Sequence, residues 1–170
     1  MEPIDLIFVG TDQQLETAFQ SAGWEKADRI GFKSGWKSIY TAILKKPYPT
    51  APGTPSFWNT VPNNFGYEKS TPKNIVNERE HIHFWQTPFM VGRKSVWVAT
   101  AHFDMAVSFK VKGHVIDPAI DKEREAIKGD LEKTGLTKSI KEFQIVEPTL
   151  GSNSAGSTFF TDGKAYLIFL

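Results

Sequence analysis

Hydrophobic and polar residues alternate most clearly between residues 96 and 111. Trp97, Ala99, Ala101, Phe103, Met105, Val107 and Phe109 fall on one face, and Val96, Val98, Thr100, His102, Asp104, Ala106 and Ser108 on the other. That is the period-2 pattern of a strand with one buried side. Residues 81–87 repeat it: Ile82 and Phe84 share one face, while His81, His83 and Trp85 share the opposite one. The intervening PFMVGRKS predicts a hairpin. If the apolar faces match, His81 and His83 join Thr100, His102 and Asp104 on a common polar face. A slip of one residue would drive imidazoles into the aromatic side, so burial favours the first register.

The rest of the chain mixes strands and helices without a βαβ rhythm. Residues 4–9 read as a strand closed by Gly10. Thr11 with Gln14 forms a capping box for a helix whose buried stripe is Leu15, Ala18, Phe19 and Ala22, with Gly23 after its last turn. A second helix is predicted from Trp36 to Lys45, with Ile39, Ile43 and Leu44 inward. The segment from Pro47 to Pro62 is too rich in proline for helix or central strand and reads as an ordered surface loop, with a pocket wall or lid carrying Tyr48, Phe57 and Trp58 as the alternative. Residues 65–69 read as a short strand. Asp117 is expected to cap a third helix that has Pro118 as its first residue, carries Ile120, Ile127 and Leu131 inward, and ends at Gly135. Residues 143–146 read as a strand, GSNSAGS as a loop, and the last segment as a hairpin turning at Asp162–Gly163. Two hairpins would then dominate the sheet. The expected fold is α+β: a mostly antiparallel sheet with two to three helices packed on one face, in a single domain.

Composition narrows the function classes. The 170 residues suit one domain, and 40% hydrophobic content with thirteen Phe and five Trp can fill its core. No cysteine is present, which excludes disulfides, zinc–thiolate sites and thiol catalysis. A net charge of +1 gives no overall field for nucleic acid. The N-terminus lacks the basic start and long apolar run of a signal peptide, and no stretch is long enough to span a membrane. A soluble chain is expected, cytoplasmic or membrane-associated.

Chemistry concentrates in one stretch. All four histidines lie between His81 and His114, with Asp104, Asp117, Asp121 and Asp130 among or after them. Imidazole and carboxylate together can hold a divalent metal such as Zn²⁺, Mn²⁺ or Fe²⁺, with His81, Asp104 and His114 as candidate ligands. They can run acid–base hydrolysis, with His81 or His114 as base and Asp104 as its orienter. Arg79 and Arg124 can instead clamp a phosphate, with Asp117 and Trp85 lining the same ligand site. No strict metal motif such as HExxH and no GxSxG elbow is present. The plainer account is that His81 and His83 lie on a solvated face and that Asp117 and Asp121 serve a helix N-terminus. Trp85 on an exposed face would suit a protein-interaction patch.

The strand-plus-helix ending in AGW, the loop KPYPTAP, the segment HIHFW, the VWV strand running into FD, and HVIDPAIDKERE occur in an order that resembles the LssY-type C-terminal domain family over residues 4–135. The C-terminal segment adds nothing to that likeness. The positions that fit it are His81, Trp85, Asp104, His114, Asp117, Asp121, Glu123 and Arg124. His83 and His102 are less typical. Members are often fused behind membrane segments resembling DedA-type proteins and lipid-phosphate phosphatases. The resemblance therefore implies a bacterial domain with a membrane-phosphatase-like or secretion-system partner, and it carries over no known catalytic residue. The expected function is binding or hydrolysis of a phosphate-bearing, lipid-linked ligand at a pocket of His81, Asp104, His114, Asp117 and Arg124. The alternative is a non-enzymatic accessory module docking through the Pro-rich loop and exposed aromatics.

Overall fold

The computed structural model describes residues 2–27, 56–71, 78–108, 113–153 and 156–170. The helix expected over 36–45 and most of the Pro-rich segment lie outside them. Two helices and twelve strands are described. β1 (Leu6–Gly10) leads into α1 (Asp12–Ser21), followed by β2 (Glu25–Lys26), β3 (Phe57–Trp58), β4 (Val61–Pro62) and β5 (Phe65–Ser70). The long strands β6 (Arg79–Val91) and β7 (Lys94–Ser108) precede β8 (Gly113–Ile116) and α2 (Asp121–Thr134). β9 (Ser139–Gln144), β10 (Thr149–Ser152), β11 (Thr158–Thr161) and β12 (Lys164–Phe169) complete the order. The fold is α+β, as the patterning requires.

The main sheet runs β2-β5-β6-β7-β1-β12-β9, and β8 pairs with β7. All pairings but one are antiparallel; β1 and β12 run parallel. The central hairpin has the register that burial demands. Ile82 faces Ala101 and Phe84 faces Ala99, while His81 pairs with His102 and His83 with Thr100. Ile82, Phe84, Trp97, Ala99 and Ala101 form one core with Leu6, Phe8, Ile168 and the inward sides of both helices, Leu15, Phe19, Ile127 and Leu131. Both helices therefore cover the apolar side of the sheet. The polar row of β6 and β7 lies on the other side.

Local chemistry sets the helix ends. Thr11 Oγ1 accepts from Gln14 N, and Gln14 Oε1 accepts from Thr11 N, so the capping box forms. Gly135, at φ 68°, closes α2 in the left-handed conformation that glycine adopts without strain.

Four expectations are corrected. α2 starts at Asp121, not Pro118. Asp117 does accept a backbone N–H, but from Ala119, in a turn that precedes the helix, and Ile120 stands at the N-cap without a side-chain cap bond. The strand read at 143–146 lies earlier, at Ser139–Gln144, because Lys141 and Phe143 must pair with Leu167 and Ala165 of β12. The C-terminal hairpin does not form. β11 pairs with β10, and β12 pairs with β1 and β9, so Asp162–Gly163 is a corner between two sheets. The bidentate grip of Arg124 on Asp162 holds that corner, and a simple hairpin turn would leave the buried guanidinium without it. Part of the GSNSAGS segment is strand as well, since β10 extends through Ser152.

Candidate functional site

The polar side of the hairpin gathers three imidazoles in adjacent rows. Alternation along β6 sends His81 and His83 to the same side, and their rings lie parallel with centroids 6.4 Å apart. His102 comes from β7 opposite His81, with ring centroids 5.5 Å from His81 and 5.8 Å from His83. β5 adds Glu68 beside His81, and β7 adds Asp104 opposite Arg79.

These groups form a chain in which basic and acidic side chains alternate. Arg79 Nη1 donates to Glu68 Oε2 at 2.8 Å, and Glu68 Oε1 lies 3.5 Å from His81 Nδ1. His81 Nε2 is 2.8 Å from Asp104 Oδ2, and the other Asp104 oxygen is 3.6 Å from His102 Nε2. His102 Nδ1 is 3.3 Å from Glu2 Oε2, and Glu2 Oε1 accepts from Asn153 Nδ2 at 3.0 Å. Exposure of the His81, Asp104 and His102 side chains is 9%, 6% and 14%. The network is interior rather than a solvated face.

Distance and direction disagree at two of these contacts. His81 Nε2 and His102 Nδ1 are close to carboxylate oxygens, yet neither makes an aligned hydrogen bond. The pairs are close nitrogen–oxygen contacts, with the ring nitrogens directed off the line. His83 Nδ1 and Thr100 Oγ1 are also buried without a hydrogen-bond partner. So are both oxygens of Asp5, which stands one step before the Leu6–Ala99 pair and thus beside Thr100. An orphaned buried polar atom costs about 1–3 kcal/mol. Several on one sheet face single it out as the candidate site.

Environment divides the titrating groups. Burial, reinforced by the neighbouring His102 and His81, pushes His83 down to about 3, so it is neutral at pH 7. Burial also disfavours charge on His102, but the close contact with Glu2 and its negative charge prevail and raise it. Glu2 behaves conversely: burial raises it, and His102 and Asn153 bring it down to about 2. Burial raises Glu68 against the opposing pull of His81 and Arg79, and raises Asp5 well above its ordinary range. The face thus sets neutral His83 beside a row of alternating basic and acidic side chains running from Arg79 to Glu2.

The structure brings together His81, Asp104 and Arg79 of the expected site residues. Trp85 shares their face but is 2% exposed, and its Nε1 donates to Val61 O beneath the β3–β4 hairpin. That corrects the exposed interaction patch. Arg124 is committed elsewhere. Both its η nitrogens hold Asp162, Nη1 also donates to Lys164 O at 2.7 Å, and Nη2 donates to Glu125 Oε1. It packs against Tyr166, whose side chain belongs to the helix-covered core. Asp117 bonds Ala119 N and Lys122, and Asp121 bonds Thr161 and Asp162 N. These three secure the α2 corner. Among the described residues no contact joins them to His81. His114 pairs through its backbone with Val107, three residues beyond Asp104, and its side chain lies outside the described residues. Among the described residues no group of three or more His, Asp or Glu side chains is arranged to hold a metal ion.

Sequence reasoning missed Glu68, Glu2 and Asn153. Glu68 was within reach: in a strand whose Phe65 and Tyr67 are core, Glu68 must face the histidines. Glu2 and Asn153 carry no such signal, because they arrive from distant chain positions. A cavity of about 270 Å³ opens elsewhere, between α1 and the chain's last residue, lined by Thr11, Gln14, Thr17, Leu136, Lys138 and Leu170.

The model of the LssY C-terminus family matches residues 1–165. The match ends two residues into β12, well past the segment in which the sequence likeness is legible by eye. No curated protein and no solved structure matches the chain. Among the described residues no helix is long and apolar enough to cross a membrane.

Proposed function

Starting from the fact that the chain belongs to the LssY C-terminus family, we propose that it binds and hydrolyses a phosphate-bearing ligand on the polar face of its sheet. His81 is the proton-transfer group, Asp104 orients it, and Arg79 takes the anion-clamping role that Arg124 cannot fill. One observation carries the reading: the 2.8 Å approach of His81 Nε2 to Asp104 Oδ2 inside a face with several unsatisfied polar atoms. An imidazole held against a carboxylate keeps its tautomer and orientation, which proton transfer requires. Neutral, buried neighbours strengthen the electrostatics of that pair.

Charge balance sets a condition on this reading. Glu2, Glu68 and Asp104 surround Arg79 and His102, so a phosphate dianion meets carboxylates as well as cations. The elevated pKa of Glu68 relieves part of that repulsion as pH falls. Phosphate binding is therefore expected to strengthen as pH falls. A screen of phosphomonoesters and phosphodiesters against the wild-type protein, His81→Gln and Asp104→Asn tests the assignment. The expected result is turnover lost by about a hundredfold or more in both variants. Turnover that is absent in the wild type, or equal in all three proteins, removes the hydrolytic role.

A second reading is favoured by the burial of the whole network. A polar interior closed by Glu2 and Asn153 also suits a non-enzymatic accessory module of a membrane or secretion system. In that case the charged chain serves to fix the N-terminal segment on the sheet. Correctly folded variants with no change in any ligand response would support it.

A further inference from the structure

The β6–β7 hairpin reaches beyond the body of the protein. In a strand that packs on one side, exposure alternates; from Phe89 to Val91 it does not. Phe89, Met90 and Val91 are 68%, 56% and 49% exposed, so apolar side chains on both faces of the ribbon stand in solvent. Gly92, at φ 62°, makes the turn, and exposed Arg93 follows it. From residue 86 to residue 103 the hairpin contains no Asp or Glu.

A second element adds charge at the same end. Lys94 and Lys138 both donate to the Leu170 carbonyl oxygen, Lys138 at 2.8 Å. Two ammonium groups thus share one acceptor. The hydrogen-bonding proximity of Lys138, then desolvation, then its like charge hold Lys94 below its ordinary pKa. The net charge of +1 over the whole chain hides this local excess.

We propose that this hairpin tip docks on an anionic lipid surface, with Phe89, Met90 and Val91 entering the boundary between headgroups and acyl chains while Arg93, Lys94 and Lys138 face lipid phosphates. Apolar residues beside a cluster of cations are the amphipathic combination that binds such surfaces. A second copy of the chain fits less well, because a symmetric contact through the tip would bring its cations against each other. The proposal does not depend on the hydrolytic reading. His81 lies eight residues down β6, about 25 Å along the ribbon, and keeps its own network.

Flotation of the protein with vesicles tests it. The wild type should float with vesicles of equal parts phosphatidylcholine and phosphatidylglycerol and not with phosphatidylcholine alone. High salt should weaken the association. The double change Phe89→Asp with Met90→Asp should reduce the floated fraction about tenfold or more, and Arg93→Glu about threefold. Circular dichroism and thermal melting establish that the variants fold. Should the double variant unfold, Arg93→Glu carries the result alone, because its side chain is exposed. Failure of the wild type to float with anionic vesicles, or flotation unchanged in the folded variants, overturns the proposal. So does a concentration-dependent dimer that Phe89→Asp abolishes, which would assign the tip to a second copy.

Discussion

Gly66 of β5 lies directly across from His83 of β6, and a Cβ built on it would come within 2.9 Å of the Ile82 carbonyl oxygen and 3.5 Å of His83 Nδ1. The glycine is there for room, not for a left-handed turn. It lets β5 approach β6 while the imidazole folds over the bare backbone. Gly66→Ala is expected to cost about 1–3 kcal/mol, because the obstacle is main chain and cannot rotate away. Gly129, inside α2, offers the contrast. A Cβ there meets nothing within 4 Å, so Gly129→Ala should stabilise by about 0.5–1 kcal/mol through helix propensity. Urea denaturation of both variants should give shifts of opposite sign.

The position of His83 also sets an acid limb of stability. Its folded pKa, about 3, is below the unfolded value of 6.5. A depressed pKa means that the unfolded state takes the proton first. The stability contributed by neutral, buried His83 is therefore present above pH 6.5 and declines as pH falls toward 3. Glu2, depressed from 4.5 to about 2, adds a loss that begins below 4.5. His102, raised by Glu2, works in the opposite sense: its contribution is full below 6.5 and fades as pH rises through its folded value. His83→Gln, which cannot titrate, should flatten the acid limb by about 2–3 kcal/mol between pH 6.5 and pH 4. Equal slopes for wild type and variant in that window, read by guanidinium denaturation, would exclude His83 as the source.

Much of this was legible in the sequence, for reasons that differ from residue to residue. Alternation over 81–87 and 96–108 revealed the β6–β7 register, because only one pairing keeps Ile82, Phe84 and Trp97 together. The capping box at Thr11 and the stop at Gly135 were local signals and were read correctly. Asp162–Gly163 was also a local signal, and there the hairpin inference failed. A turn dipeptide reports a change of direction and does not say which strand pairs with which. Arg124, forty residues away in the fold's accounting of partners, decides that question through Lys164 O and both Asp162 oxygens. The candidate site divided in the same way. His81 and Asp104 were joined by strand periodicity, which is exact over short distances. Asp117 and Arg124 were added because they follow closely in sequence, and the chain uses them instead to secure the α2 corner.

Glu123 of α2 is buried, and burial, followed by the negative charges of Glu80, Asp5 and Asp130, raises it to about 9. Its folded pKa lies above the unfolded 4.5, so the sign is reversed relative to Glu2. The folded state holds the proton more tightly, and stability falls as pH rises from 4.5 toward 9. Glu123→Gln keeps the shape without an ionisable proton. It should melt like the wild type at pH 4.5 and be more stable at pH 8 by on the order of 2 kcal/mol. A variant no more stable than the wild type at pH 8 would show that Glu123 ionises without cost.

Arg124 and Arg79 separate structure from ligand response. Arg124 is 3% exposed at the side chain, and its partner Asp162 is 36% exposed, so part of their attraction is screened while the guanidinium itself is interior. Arg124→Ala should therefore cost about 2–4 kcal/mol, less than a fully buried pair would, mainly by leaving Lys164 O and the Asp162 corner without their donor. Arg124→Lys should recover some of that stability but not the two-pronged contact, since an ammonium cannot grip both carboxylate oxygens in the same plane. Neither change should alter the imidazole resonances of His81 and His83 in a proton NMR titration, because those rings lie on the opposite face of the sheet. Arg79→Lys should shift them, through Glu68 and its contact with His81 Nδ1. If Arg124→Lys moved the His81 resonance as strongly as Arg79→Lys does, the two arginines would belong to one site, and the separation of the α2 corner from the histidine face would be wrong.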